Sequence, residues 1–304
     1  MRLCSLAFTA SAAALLAPSA NAQSATAGVE RAFLERAAIS AADDACNLFT
    51  TGERYALKAG LYQSQDELLR ANFSRDKIED TAASVRAHAK SLGCDHPSVR
   101  QVAATIRDSY RQFAKTNYLE YAAGHGVWRA SRVSADQWAL SEVDKASGAA
   151  LGLRNSTDKK KPGLRLAIAI PVGDTLPATA QLYIRDPVRL DEPWLGSLFG
   201  STGQLTPTPR AMTHIEWAAE TAEEDDITGD PYQVYYFPEA AIARIEALDP
   251  REAVQLELGP NPRDKNQQPV RVLFEVGDFR AAHNFVLIPQ PTYAPTPEDK
   301  SKGE

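Results

Sequence analysis

Histidines, cysteines and clustered carboxylates hold most protein metals and run much acid–base chemistry, so their spacing is the first test of this sequence. Its five histidines are scattered. His88 and His96 stand eight positions apart with an expected helix end between them, while His125, His214 and His283 stand alone. Neither H-E-x-x-H nor C-x-x-C occurs, so no zinc site is expected. The densest acidic run is Glu220, Glu223, Glu224, Asp225, Asp226 and Asp230, with Thr228-Gly229 inside it. Calcium takes oxygen ligands of this kind, but the spacing departs from that of an EF-hand loop. A solvated acidic loop over Glu220–Asp230 is the commoner outcome, and it could steer a basic partner surface.

Nucleophilic chemistry fares no better. Ser156-Thr157-Asp158-Lys159 fits S-x-x-K, but it sits in a polar, lysine-rich stretch that reads as a hairpin loop. The enzymes that use this pattern place it on a helix beside further motifs. The chain has no G-x-S-x-G, no phosphate-cradling glycine loop and no dinucleotide fingerprint. No catalytic set and no cofactor are expected. A net charge of −6 and a single basic run, Lys159-Lys160-Lys161, also argue against nucleic acid, which requires a broad basic face.

One stretch is too rich in glycine and proline for a regular element, yet it carries large apolar side chains. It runs Leu190-Asp191-Glu192-Pro193-Trp194-Leu195-Gly196-Ser197-Leu198-Phe199-Gly200. Long loops often carry function, and an exposed tryptophan favours partner contacts. Trp194, Leu195 and Phe199 therefore read either as a binding surface or as a lid folded back over a sheet.

The elements that must position these groups fall into unlike halves. Residues 1–22 carry Arg2, an apolar stretch from Leu3 to Leu16 and Ala20-Asn21-Ala22, the layout of a cleaved export signal with the mature chain starting at Gln23. The apolar run is too short and alanine-rich to span a membrane stably. From 23 to about 122 the apolar spacing is helical. Val29, Phe33, Ala37 and Ile39 begin one stripe, and Tyr55, Leu57, Leu61, Leu68 and Leu69 form a second, interrupted by Gly60. Ser74 caps a third stripe of Ile78, Ala82, Val85 and Ala89, which Gly93 ends. Asp95-His96-Pro97 opens the fourth, with Val99, Ala103, Ile106, Tyr110 and Phe113. Cys46 and Cys94 both lie in this half. In an exported chain they read as a disulfide between the end of helix one and the corner before helix four, with buried free thiols as the rival.

Beyond Gly124-His125-Gly126 the period changes to two. Leu164–Val172, Thr213–Ala219, Val254–Leu258 and Val270–Val276 alternate apolar and polar residues, and shorter strands are expected at 126–133, 137–143, 181–185 and 233–237. A short helix, Pro238 to Leu248, interrupts them. The expected fold is α+β: a disulfide-stapled helical bundle followed by an antiparallel β-sandwich-like domain over 123–288 and a disordered proline-rich tail over 289–304.

The second half resembles the invasion-associated locus B family of exported bacterial proteins. The likeness is carried by Leu166-Ala167-Ile168-Ala169-Ile170-Pro171-Val172-Gly173 and Leu176-Pro177. It continues through Tyr236-Phe237-Pro238-Glu239-Ala240-Ala241-Ile242, the hairpin around Asn261 to Gln268, and Val276-Gly277-Asp278-Phe279-Arg280-Ala281-Ala282. It covers residues 163–288. The family usually carries several cysteines there and this chain carries none, while Asp278 separates the glycine from the phenylalanine. The resemblance implies an exported, β-rich envelope protein without established catalytic machinery. A periplasmic or secreted protein that binds another envelope protein through Trp194, Leu195 and Phe199, or through Glu224, Asp225 and Asp226, is the leading expectation. The alternatives are a hydrolase with His125 at the junction of the two halves, and a small-molecule or lipid carrier.

Overall fold

The computed structural model describes residues 20–133, 137–156, 163–173, 176–196, 203–225, 230–259 and 268–290, with side chains from residue 26 onward. The expected leader up to residue 19 lies outside them. So do Phe199, Asp226, the lysine run at 159–161, residues 261–267 of the expected hairpin, and the tail from 291. Four helices come first: α1 (Ala20–Cys46), α2 (Thr51–Arg70), α3 (Arg75–Leu92) and α4 (Pro97–Phe113). Thr50 opens α2 through a reciprocal cap, its hydroxyl accepting from the Glu53 N–H while the Glu53 carboxylate accepts from the Thr50 N–H at 2.8 Å. The cap of α4 is His96 rather than Asp95, with Nδ1 accepting from the Ser98 N–H at 3.3 Å.

Cys46 and Cys94 form a disulfide between the end of α1 and the α3–α4 corner. Gly60 does not break α2. The Arg36 side chain of α1 lies across it, and a Cβ there would stand 3.1 Å from Arg36 Nε. The residue that weakens the helix as a sequence signal is the one that lets the two helices approach.

Two antiparallel sheets follow. The larger is ordered β1 (Tyr118–Ala122), β2 (Val127–Ser131), β3 (Trp138–Val143), β4 (Ala150–Asn155), β5 (Leu164–Pro171), β9 (Pro231–Tyr236), β8 (Glu220–Asp225). The smaller is ordered β11 (Val270–Glu275), β10 (Ala253–Gly259), β6 (Thr179–Arg185), β7 (Thr213–Trp217). One apolar core joins Leu140, Leu153, Leu166 and Ile168 of the first sheet to Leu182, Leu256 and Phe274 of the second, so the sheets share a buried interior. Helix α5 (Ala240–Glu246) and helix α6 (Phe279–Val286) close it.

The two halves are not separate bodies. Tyr55, Ala56, Ala59 and Tyr62 of α2 join the core of the sheets, while Leu57, Leu61, Leu68 and Leu69 of the same helix build the helical cores. Helix α6 fits between them: Phe279 meets the buried Trp128 ring at 5.0 Å, and Phe285 meets Phe113 at 5.7 Å. Strand β1 lies inside the span expected to be helical, and it pairs with β2 from Tyr118↔Ser131 to Ala122↔Val127. Among the described residues no helix is long and apolar enough to cross a membrane.

The disulfide closes a loop of 48 residues, which the chain-entropy relation values at about 4 kcal/mol. The double variant Cys46→Ala/Cys94→Ala should lose close to that amount in urea-induced unfolding under non-reducing conditions. A loss below about 1 kcal/mol would mean that the bond adds little to the bundle.

Candidate functional site

The turn between α5 and β10 supplies two buried carboxylates. Asp249 is fully covered, and its oxygens accept from Arg251 Nε at 2.8 Å, from the Arg251 N–H at 3.0 Å and from Arg75 Nη2 of α3 at 3.2 Å. Burial works to raise its pKa, but the hydrogen bonds and charge of Arg251, with Arg75 behind them, hold it below the usual carboxylate value. Glu252 points the other way. It takes a two-pronged grip from Arg185 of β6, Nε at 2.5 Å and Nη2 at 3.1 Å, with both side chains buried. The same carboxylate accepts the Trp194 N–H at 3.1 Å and the Asp249 N–H at 2.8 Å. Arg185 Nη1 donates to the carbonyls of Leu190 and Asp191.

This pair therefore fixes the glycine- and proline-rich loop. Residues 193–196 are half-buried rather than free. Pro193 and Leu195, with Asp191 and Glu192, form one wall of a cleft of about 540 Å³. The opposite wall is the α2–α3 corner, Asn72 to Asp76, and Asp249 and Arg251 form its floor. The loop is fastened down, and its Pro193 and Leu195 side chains line a cavity. Arg75, Arg251, Asp76, Asp191 and Glu192 place both signs of charge around that tip, which suits a polar partner segment with an apolar anchor.

A second cluster locks the halves together beside the cleft. Arg70 of α2 holds Asp278 at the start of α6 at 2.8 and 3.2 Å. Arg280 of α6 donates to Gln65 at 2.9 Å, reaches Asp66 and stacks over the Tyr62 ring at 4.0 Å. Burial pushes the Asp66 carboxyl up to about 7; Arg280 pulls against that rise and Asp278 adds to it.

The other site residues read from the sequence are placed differently. The acidic run is not a loop over its first six residues, because Glu220 to Asp225 form the edge strand β8. Carboxylates are tolerated there since alternate ones face arginines across the sheet. Arg165 pairs with Glu220 at 2.9 Å and Arg154 with Glu224 at 2.9 Å, and Glu224 also accepts the Tyr236 hydroxyl at 2.7 Å. Glu224 is thus committed inside the protein, and only Asp225 of the described pair is exposed. Among the described residues no three metal-ligating groups converge.

Two of the histidines sit beside carboxylates. His283 Nδ1 lies 2.7 Å from Glu246, and His214 Nε2 lies 3.1 Å from Glu216. The His125 ring is exposed, and among the described residues nothing bonds it. Its backbone carries the contact instead. The N–H groups of Gly124, His125 and Gly126 all point at the Glu275 carboxylate, at 3.1 Å and 3.2 Å for the two glycines. A Cβ at Gly126 would overlap the carboxyl of Glu142, so a side chain there would displace that carboxyl. Glu142 is buried, among the described residues one of its oxygens has no hydrogen-bond partner, and burial followed by the nearby Glu275 charge raises its pKa to about 8. This buried acid pair is the feature that sequence reasoning missed, and its signal was the two glycines around His125. No family model matches the chain, and neither a curated protein nor a solved structure does.

Removing one partner of a buried ion pair strands the other, at a cost of about 3–5 kcal/mol. Glu252→Ala should lose that much in urea unfolding, and a loss under about 1 kcal/mol would remove Arg185–Glu252 as the anchor of the cleft. Glu142 sets a pH dependence of definite sign. The folded chain keeps its proton up to about pH 8, whereas the unfolded chain releases it in the ordinary carboxylate range. Stability contributed at this position therefore falls as pH rises between those limits. Glu142→Gln should gain stability relative to the parent from pH 5 to pH 8, and a difference unchanged across that range would contradict the assignment.

Proposed function

We propose that this chain is an exported, non-catalytic protein of the cell envelope that binds another envelope protein in the cleft between the α2–α3 corner and the Leu190–Gly196 loop. One observation carries the reading: the loop is held by the buried Arg185–Glu252 pair as a wall of a preformed cavity of about 540 Å³. A pre-set wall loses little conformational entropy on binding, which favours recognition over a loose surface loop. Export is supported by the leader-like residues 1–22, and the envelope setting by the resemblance over 163–288. The disulfide is compatible with an oxidising compartment. The hydrolase alternative depended on His125, and its exposed ring leaves that reading without an anchor.

The test places a photo-cross-linking amino acid at Leu195, and separately at Arg75 on the facing wall, in the full chain expressed in cells. A third copy carries it at Tyr118, a 50% exposed residue of β1 that does not line the cleft. The proposal expects one and the same envelope protein joined at 195 and 75 but not at 118. Equal capture at all three positions, or no capture at 195 and 75, would overturn it.

A further inference from the structure

Helix α4 is strongly amphipathic, yet its apolar face is only partly covered. Val102 is 40% exposed, and beneath it a cavity of about 470 Å³ opens between α1, α4 and the end of α3. Its walls are mostly apolar, with Ala32, Ala38, Ile39, Leu92, Val99 and Val102 among them. A second cavity, of about 510 Å³, lies between α2, α4 and β1 and includes Leu57, Phe113 and Leu119. Arg36 and Ile106 line both, so the two volumes meet at the Arg36 side chain. Each is in the size range of small-ligand sites, about 300–1,000 Å³. Neither shares a lining residue with the cleft described above.

Arg36 is the charged group at this junction. It donates to the Gly60 carbonyl at 3.0 Å and to the Ser64 hydroxyl, both neutral acceptors. No carboxylate of the described residues comes within ion-pair distance of it. Glu35, its neighbour on α1, is exposed and acts on it only through space. The other carboxylates on the walls are already engaged, Glu53 by the Thr50 N–H and hydroxyl, and Glu120 by the Tyr118 hydroxyl and Arg129. Burial lowers the Arg36 pKa from its ordinary value. A guanidinium has five N–H donors in a fork that matches a carboxylate, and a partly desolvated one gains most from an anion. The open position of α2 at Gly60 is what allows it to lie here.

We propose that the helical half binds a long-chain fatty acid, its carboxylate held by Arg36 and its chain laid along the apolar groove under α4. This goes beyond the proposed protein-binding cleft and does not depend on it. A charged hydrogen bond is worth about tenfold or more in affinity, and the apolar groove supplies the rest.

The test is calorimetric titration of the full chain with dodecanoate below its micelle concentration, beside dodecanol as the uncharged analogue. Dodecanoate should bind, and dodecanol should bind about tenfold or more weakly. Arg36→Gln should lose at least about tenfold for dodecanoate while leaving dodecanol unchanged. Ala38→Trp, which fills the groove and leaves Arg36 in place, should abolish both. Thermal unfolding of each variant separates a lost site from a lost fold, and Arg36→Lys should recover part of the dodecanoate affinity. No binding to the parent chain, or equal dodecanoate binding by Arg36→Gln, would overturn the proposal. So would a dimer in sedimentation that dodecanoate leaves intact, because a second copy would then occupy the groove.

Discussion

The Asp249–Glu252 turn is the constraint on which the arrangement of this protein depends. Two carboxylates three positions apart face opposite ways, one toward α3 and one toward β6. Burying them is costly, and the cost is offset only because their acceptor capacity is nearly filled. Glu252 receives two guanidinium donors and two backbone N–H groups; Asp249 receives Arg251, its backbone N–H and Arg75. The backbone of the turn is tied as well, since the Val276 N–H donates to the Glu252 carbonyl and the Gly277 N–H to the Pro250 carbonyl. A helical half, an inner strand of the smaller sheet and a surface loop are thus held by one four-residue segment.

From this follows the placement of the two sites argued for. The cleft exists because the loop from Leu190 is pinned on one side of the turn while the α2–α3 corner is pinned on the other. The groove under α4 exists for the opposite reason. Helix α2 is committed on one face to the sheet core and on another to α1 and α3, so α4 is left covering the bundle incompletely. Tight polar fastening at one place and loose apolar packing at another give a braced cleft and an open apolar volume in the same chain.

Much of the fold was legible in the sequence. The four helices, most strands and the Cys46–Cys94 bond followed from apolar spacing, caps and an even cysteine count. Three strands, β1, β4 and β8, and one helix, α6, did not. Glu220 to Asp225 looked like solvated loop because its carboxylates hid a period of two, and their arginine partners lie far away in the chain, at 154 and 165. Tyr118 to Ala122 follows α4 too closely for five residues to announce a new period. Phe279 to Val286 reads as a generic apolar segment until Asp278, at its start, is seen binding Arg70. The site was less legible. Leu195 was found through its composition, but Arg75, Asp249, Arg251 and Arg36 carry no local signature. Their meaning comes from partners that only the tertiary fold brings within reach.

The claim that one buried turn fixes both walls of the cleft is most directly tested by hydrogen-exchange mass spectrometry of the parent chain and Glu252→Gln. The account predicts faster exchange in the 190–196 loop and, together with it, in the α2–α3 corner at 72–76, while α4 is unchanged. Faster exchange confined to 190–196 would contradict it, because the loop would then be a local feature and the facing wall would stand without it.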